Sequence, residues 1–436
     1  MSKIIKSVLF ISALIILIAV IISLQILKSE RKIMLFVTGD TQGYLIPCGC
    51  RTSPSGGLSR RVTLMEKISL ENKGAKIYPV EIPNVFTDRN PSKDLINRTM
   101  GDFFERMNYI VGIGERDLFF KEKLKEYYKG DCYLALNKDF KDEFIIEMGG
   151  GLSFTKKGRL HLLFLCETEN SQSSLEDYYK KKVSENKDDA FVVLGKVSPK
   201  LVEKLVSEKG NLLAVIATWE QNTTSLPQKA MGSWAVFLGD KGRKYATLEV
   251  SYYGGKWEAW PETAYIDKDI APNKEEEEKI TKVLNEVEMK NKEIIEKLKI
   301  ENSKEPLYSG SSSCKDCHKV PYEIWQKSSH FSATKVLEID HQENNPECLI
   351  CHSTGFGIGG YPNDKIDLNG IGCESCHGSG KNHPPQKMKI EKGTKPCLQC
   401  HTKRDSPFFN DGFSLLIDHT SRKKNKNVGV IVGVQN

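Results

Sequence analysis

Four pentapeptides of a single form lie within ninety residues near the C-terminal end of the chain. They read CKDCH from Cys314 to His318, CLICH from Cys348 to His352, CESCH from Cys373 to His377 and CLQCH from Cys397 to His401. Two thiols at this spacing can reach the two vinyl groups on one edge of a porphyrin, and the histidine that follows then lies under the iron. At the Cys and His frequencies of this chain, chance supplies about 0.01 such units. Paired C-x-x-C units also build zinc ribbons, but a ribbon does not need a histidine directly after every second cysteine. The motifs therefore predict four covalently bound haem c groups. Their attachment points are Cys314, Cys317, Cys348, Cys351, Cys373, Cys376, Cys397 and Cys400, and their proximal iron ligands are His318, His352, His377 and His401.

Histidine bookkeeping extends the reading. Of the nine histidines, four are proximal and His161 lies far away in the strand-like run RLHLLFL, where a packed or surface role is the plain reading. His330, His341, His383 and His419 remain as possible sixth ligands, so by count every iron could be bis-histidine. Two axial imidazoles suit outer-sphere electron transfer and block the binding of small molecules.

The elements that position these groups divide the chain into regions. A chain of 436 residues predicts two or three domains. Residues 306–422 are few for four attachment sites, so much of their core must be porphyrin, with short helices carrying the motifs. Residues 269–305 hold a Glu- and Lys-rich segment with Ile280, Val283, Leu284, Val287, Ile294, Ile295 and Leu298 at helical spacing, which reads as a charged connector helix. Residues 32–268 alternate strand-like and helix-like runs. Strands are expected at 33–38, 190–194, 212–217, 234–238 and 245–251, and helices after Gly57 and at 93–107, 119–128 and 199–209. The fold class expected is thus an α/β domain followed by a small, mainly α domain, with a polar tail at 423–436.

Compartment follows from the first segment. Val8 to Leu27 is free of charge, and twenty helical residues span about 30 Å, the bilayer core. The run ends SLQILKSE without a small-residue cleavage site, so residues 1–31 read as an uncleaved signal anchor in the cytoplasmic membrane, with the body of the protein on the periplasmic side. A net charge of +6, with lysines scattered, is not a nucleic-acid signature.

Two family resemblances add to this. SCKDCHKVPYEIWQKSSHFSATKVL, ECLICHSTGFGIGGY and GIGCESCHGSGKNH resemble the tetrahaem cytochromes that accept electrons from hydroxylamine oxidoreductase in ammonia oxidisers. The resemblance implies that His383 serves the first haem, His330 the third and His419 the fourth, and that the second, on His352, is five-coordinate. It leaves His341 without a role. TGDTQGYLIPCGC with GGLSRR, MGDFFERMNYIVGIGERDL and the stretch from Ala214 to Val250 resemble calcineurin-like metallophosphoesterases of the nucleotidase type. That resemblance implies a phosphoesterase-like sandwich over 33–252. A dinuclear site in that family needs aspartates, an Asn-His pair and further histidines to hold two metals around a water. This chain keeps Asp40 but has Gln42 for the first histidine, lacks the Asp expected near Glu81, reads Gly-Glu-Arg-Asp at 114–117 and has no histidine near Trp219 to Asn222. The implied domain is a scaffold with an eroded site. Cys48 and Cys50 stand beside it, open to a disulfide with Cys132 or Cys166, a soft metal or a redox partner.

The function expected is electron transfer between redox protein partners or a quinol-linked membrane complex. A small-molecule redox reaction at an open iron, such as nitric oxide reduction, is the alternative. Metal-dependent phosphoester hydrolysis stands third.

Overall fold

The computed structural model describes residues 14–18, 32–48, 54–88, 90–148, 158–168, 170–208, 210–219, 226–253, 255–339, 342–383 and 396–401. The chain divides into two compact units, Met1–Asn285 and Glu286–Asn436. The division falls inside the long charged helix, not at either of its ends.

The first unit is built on two six-stranded mixed sheets. β1 (Lys32–Gly39), β2 (Lys76–Ile82), β3 (Ile110–Gly112) and β4 (Cys132–Tyr133) run parallel, and β11 (Lys244–Tyr253) and β12 (Lys256–Tyr265) extend them antiparallel in the order β12-β11-β1-β2-β3-β4. The second sheet has the order β5-β6-β7-β8-β10-β9. Its members are β5 (Glu143–Met148), β6 (Gly158–Cys166), β7 (Ala190–Lys196), β8 (Leu212–Thr218), β9 (Gln228–Ala230) and β10 (Ser233–Phe237). Side chains alternate along a strand, so Ile33, Leu35 and Val37 of β1 point one way, into a core shared with Leu160, Leu162 and Phe164 of β6 and Val192 and Leu194 of β7. The sheets thus pack face to face.

Helices cover the outer faces. α1 (Leu58–Glu71) and α2 (Lys93–Arg106) bury Leu58, Val62, Leu64, Met100, Phe103 and Phe104. α4 (Gln172–Glu185) and α5 (Pro199–Ser207) pack Leu175, Tyr179, Leu201 and Leu205 onto Leu163, Phe191 and Val215. The start of α5 is set by Ser198, whose hydroxyl accepts from Leu201 N at 3.2 Å, with Pro199 in the first turn. The five strands expected from the sequence are present as β1, β7, β8, β10 and β11, and the layered α/β class is as predicted. The helix expected over 119–128 is instead a 3₁₀ turn, Asp117–Phe120, and a single turn, α3 (Leu124–Tyr127). Phe120 and Tyr127 meet edge-on at 5.8 Å, whereas residues seven apart in one helix stand about 10 Å apart along its axis. Aromatic packing overrides the local periodicity.

α6 (Lys274–Lys304) begins in the first unit, where buried Glu276 accepts twice from Arg106 at 2.9 Å, and ends in the second, where Ile295 packs on Leu337 and Leu349. The rest of the second unit is short pieces: α7 (Lys319–Gln326), α8 (Ala333–Ile339), α9 (Pro346–His352), α10 (Cys373–His377) and 3₁₀ turns at Ser311–Cys314 and Cys397–Gln399. Residues 14–18 are helical, and among the described residues no helix is long and apolar enough to cross a membrane.

One buried ion pair holds the outer face of the first sheet to α1. Arg61 Nη1 lies 3.0 Å from Glu81 Oε2, and both side chains are fully buried. Thr38 and Thr41 bridge the pair: Arg61 donates to both hydroxyls, and each hydroxyl donates to Glu81, while the buried Arg61 Nε has no partner. Removing one partner strands a charge in a dry interior. Arg61→Met is expected to destabilise the protein by about 3–5 kcal/mol, and the double change with Glu81→Leu by clearly less. Chemical denaturation of the three proteins checks this, and equal losses in the single and double variants would contradict it.

Candidate functional site

Each motif occupies one helical turn. His318 N donates to Cys314 O at 2.9 Å and His401 N to Cys397 O at 2.8 Å, the i to i+4 bond of an α-helix; the second and third motifs lie in α9 and α10. One turn puts the first and second cysteine, three residues apart, on a common face. The ends of these turns are set locally. Asn345 caps α9 by accepting from Glu347 N at 3.0 Å, with Pro346 in the first turn, and Gly378 closes α10 at φ 78°.

Histidines from separate segments meet in two pairs. The ring centres of His318 and His383 stand 6.2 Å apart, inclined by 31°. Those of His330 and His401 stand 6.0 Å apart, inclined by 55°. Two imidazole nitrogens each about 2 Å from one metal ion place their ring centres about 6 Å apart, so each pair has the separation that axial ligation of a single iron requires. Burial first, and then the neighbouring His401, pull His330 below the usual imidazole value, which favours the neutral ring that can bind iron.

His383 lies beside His318 of the first motif, the motif to which the resemblance assigns it. His330, expected at the third haem, lies with the fourth. The backbone explains the difference: Ile371 N donates to His330 O at 2.8 Å, so the main chain of His330 touches the approach to the third motif while its ring reaches residue 401. His419, expected at the fourth haem, and His341 lie outside the described residues.

His352 is held differently. Its Nδ1 lies 2.7 Å from Ala333 O, a bond that fixes the ring and leaves Nε2 to face the iron. Thr334 Oγ1 accepts from Gly370 N at 2.7 Å and donates to His352 O. Among the described residues no second histidine ring lies against His352.

The motif cysteines come together across motifs. Burial, then the neighbouring Cys373, push the Cys314 thiol up to about 11. A hydrogen bond with Cys351, then burial, raise Cys400, and burial followed by Cys397 raises Cys376. No described cysteine is in a disulfide. The first motif thus adjoins the third, the third the fourth, and the fourth the second.

The surroundings fit a large apolar group. α7 buries none of its residues, and Val320, Ile324, Phe331, Ile350 and Leu398 are all more than two-fifths exposed beside the motifs. Sequence reasoning missed the groups that hold this frame. Glu374, an x position of the third motif, accepts backbone N–H groups of Ser309, Gly310 and Gly380. Ser311 accepts from Cys373 N at 3.0 Å, and Thr354 from Gly372 N at 2.8 Å. The attachment spacing leaves its intervening positions free, so no local pattern announces them.

The residues that the resemblance sets against a dinuclear site gather at the ends of β1 and β2. Asp40 and Gln42, both at positive φ, lie beside Asn84, whose carbonyl accepts from Gln42 N at 3.0 Å. Gln42 donates to Asp40 at 3.1 Å and accepts from Arg116 at 2.7 Å, and Arg116 pairs with Asp88 at 2.5 Å. Glu81 is committed to Arg61, and Asp117 to the N–H groups of Asn84, Val85, Phe86 and Gly114. Among the described residues no group of three or more His, Cys, Asp or Glu could hold a metal ion. His161 is packed: its ring nitrogens face Glu143 at 2.6 Å and Asp189 at 3.2 Å, and its ring stacks on Phe191. Cys48, Cys132 and Cys166 form no disulfide, and Cys50 lies outside the described residues.

Comparison with known proteins agrees with the motif geometry. The family described as cytochrome c554 and c-prime matches residues 313–378, which hold the first three motifs. The C-terminal segment matches the cytochrome c554 family. The match implies covalently bound haem c and an extracytoplasmic location for this region. Cytochrome c-554 of Nitrosomonas europaea is 32% identical over 110 residues, covering 20% of this chain and 47% of that protein. The chain therefore spans about half the length of this curated relative. Among solved structures, a 5'-nucleotidase precursor from Thermus thermophilus aligns with 16% identity, a TM-score of 0.46 and 59% of each chain. The sulfate thiohydrolase SoxB of the same organism aligns with 13% identity, a TM-score of 0.46, 58% of this chain and 60% of its own.

Asp40 has a measurable consequence. Burial pushes its carboxyl up to about 7, against the opposing charge of Lys196 and the hydrogen bonds of Asn84 and Gln42. With the folded value above the unfolded one, the folded state keeps a proton that the unfolded chain releases, so stability falls as pH rises from about 4 to about 7. Asp40→Asn is expected to match the parent near pH 4 and exceed it by on the order of 3–4 kcal/mol at pH 8. Denaturant unfolding at both pH values tests this, and a gap that does not change with pH would refute it.

Proposed function

We propose that this protein is a tetrahaem c-type cytochrome that carries electrons on the outer side of the cytoplasmic membrane. What carries the reading is the four motif turns, with His318–His383 and His330–His401 already at the separation of axial ligand pairs. Haem iron supplies one-electron transfer between its ferric and ferrous states. The protein's part is to hold each ring pair rigidly, so that little rearrangement accompanies a change of charge, and to set attachment points side by side. The adjacency of Cys314 to Cys373, of Cys376 to Cys397 and of Cys351 to Cys400 supports close approach of the bound groups in one series. The uncharged run from Val8 to Leu27 supports a single N-terminal span. Electrons enter from, and leave to, redox protein partners or a quinol-linked membrane complex.

A second reading has one observation in its favour. His352 has its Nδ1 anchored and no facing histidine among the described residues, which suits an iron open to a small ligand such as nitric oxide.

The test uses the full chain matured with the c-type attachment system. Mass and haemochrome absorbance count the haems, and spectra of the reduced protein are taken with and without carbon monoxide. Four haems, of which the one on His352 binds carbon monoxide, are expected. Four with no carbon monoxide shift would leave the carrier alone and turn attention to His341 as the missing ligand. Fewer than four would overturn the proposal.

A further inference from the structure

Glu374 is the one carboxylate of the second unit that is almost wholly buried, at 3% exposure among the described residues. Its Oε1 accepts from Ser309 N at 2.9 Å and from Gly380 N at 2.6 Å, and its Oε2 accepts from Gly310 N at 2.8 Å. Three converging backbone donors make a fitted cradle for this one carboxylate. The three donors belong to two different segments, and where those segments lead matters most.

Ser309 and Gly310 open the turn that carries the first motif: Ser313 N donates to Gly310 O at 3.1 Å, and the turn ends at Cys314. Gly380 opens the turn that carries His383, whose N–H donates to Gly380 O at 2.9 Å. From His318 and from His383 the chain therefore runs back to the same carboxylate, which stands on the third motif. The third motif is further tied to the first by Cys373 N donating to Ser311 Oγ. Among the described residues no apolar cluster involves residues 308–318 or 378–383, and the bonds that join these segments are hydrogen bonds.

We propose that Glu374 is the positioning residue for the axial pair of the first haem. Its carboxylate clamps the segment before Cys314 to the segment before His383 and so holds the His383 ring 6.2 Å from that of His318. This rests on the haem reading above. It also assigns the third motif a task besides attachment, since its second residue fixes the coordination of a different iron.

The two oxygens do different amounts of this, and the difference supplies a graded test. Glutamine can place its single carbonyl oxygen at the Oε1 position, keeping the Ser309 and Gly380 contacts and losing that of Gly310. Leucine loses all three. Parent, E374Q, E374L and H383A are matured with haem as full chains. Haem content, low-spin and high-spin signals in electron paramagnetic resonance, and carbon monoxide bound per chain are measured for each.

H383A sets the scale by freeing one axial position, adding one high-spin, carbon monoxide-binding haem to the parental number. E374L is expected to add the same one, and the double variant E374L/H383A no more than one. E374Q is expected to convert only a fraction of that haem. A purely structural role would lower the melting temperature without converting that haem. Four haems in E374L with parental carbon monoxide binding would overturn the proposal. If E374L loads fewer than four, E374Q decides: a partial gain in carbon monoxide binding supports the clamp, and parental binding refutes it. A parent lacking haem would instead refute the cytochrome reading, which the haem count distinguishes.

Discussion

Among the described residues the second unit buries only five hydrophobic side chains, Val287, Ile295, Leu337, Leu349 and Leu368, and three of them form its one apolar cluster. Burial of that amount cannot offset the conformational entropy of ordering a hundred residues, each costing about 1–2 kcal/mol of backbone freedom. The apolar area has to come from elsewhere. Covalently attached porphyrins bring large flat apolar faces and, through two thioether links and an axial bond each, also cross-link the chain. The exposed Val320, Ile324, Ile350 and Leu398 beside the motifs are what such faces would cover.

What the polypeptide contributes without haem is a frame of side-chain-to-backbone hydrogen bonds. Thr334, Thr354, Ser311 and Glu374 each tie one motif segment to another, and Trp325 donates to Ile371 O at 2.8 Å on the same path. The approach to the third motif is crowded enough to demand glycine. Gly370 has φ 68°, and a Cβ there would fall 2.5 Å from Phe331 O. A frame of this kind resists displacement because a buried donor that loses its acceptor is left unsatisfied, at a cost of about 1–3 kcal/mol each.

How legible these features are in the sequence follows from how local their causes are. Attachment needs only two thiols and an imidazole within five residues, and a pattern that short is complete in the sequence. Strands β1, β7 and β8 are equally plain, because apolar runs buried on both faces have no alternative place. Axial pairing is different in kind. His383 and His318 are 65 positions apart, and their meeting depends on Glu374, whose identity the motif leaves free. The movement of His330 from the third to the fourth motif has the same origin: a backbone bond to Ile371 fixes its position, and backbone bonds leave no mark on residue type.

The first unit separates the groups that hold its strand ends from the polar cluster beside them. The interactions that set its strand ends, Arg61 with Glu81 and Asp117 with four backbone N–H groups, point into the protein and away from the polar cluster of Asp40, Gln42 and Asn84. Glu81 illustrates the separation. The sequence places it near a position where a metal-binding acid would be sought, yet its carboxylate is consumed by Arg61, Thr38 and Thr41 and is unavailable to any ion. A buried pair of this kind tolerates the loss of neither member, whereas the Gln42 side chain rests on bonds to Asp40 and the partly exposed Arg116. The strand ends therefore depend on the buried pair and on Asp117, and the polar cluster beside them can vary without unseating the sheet.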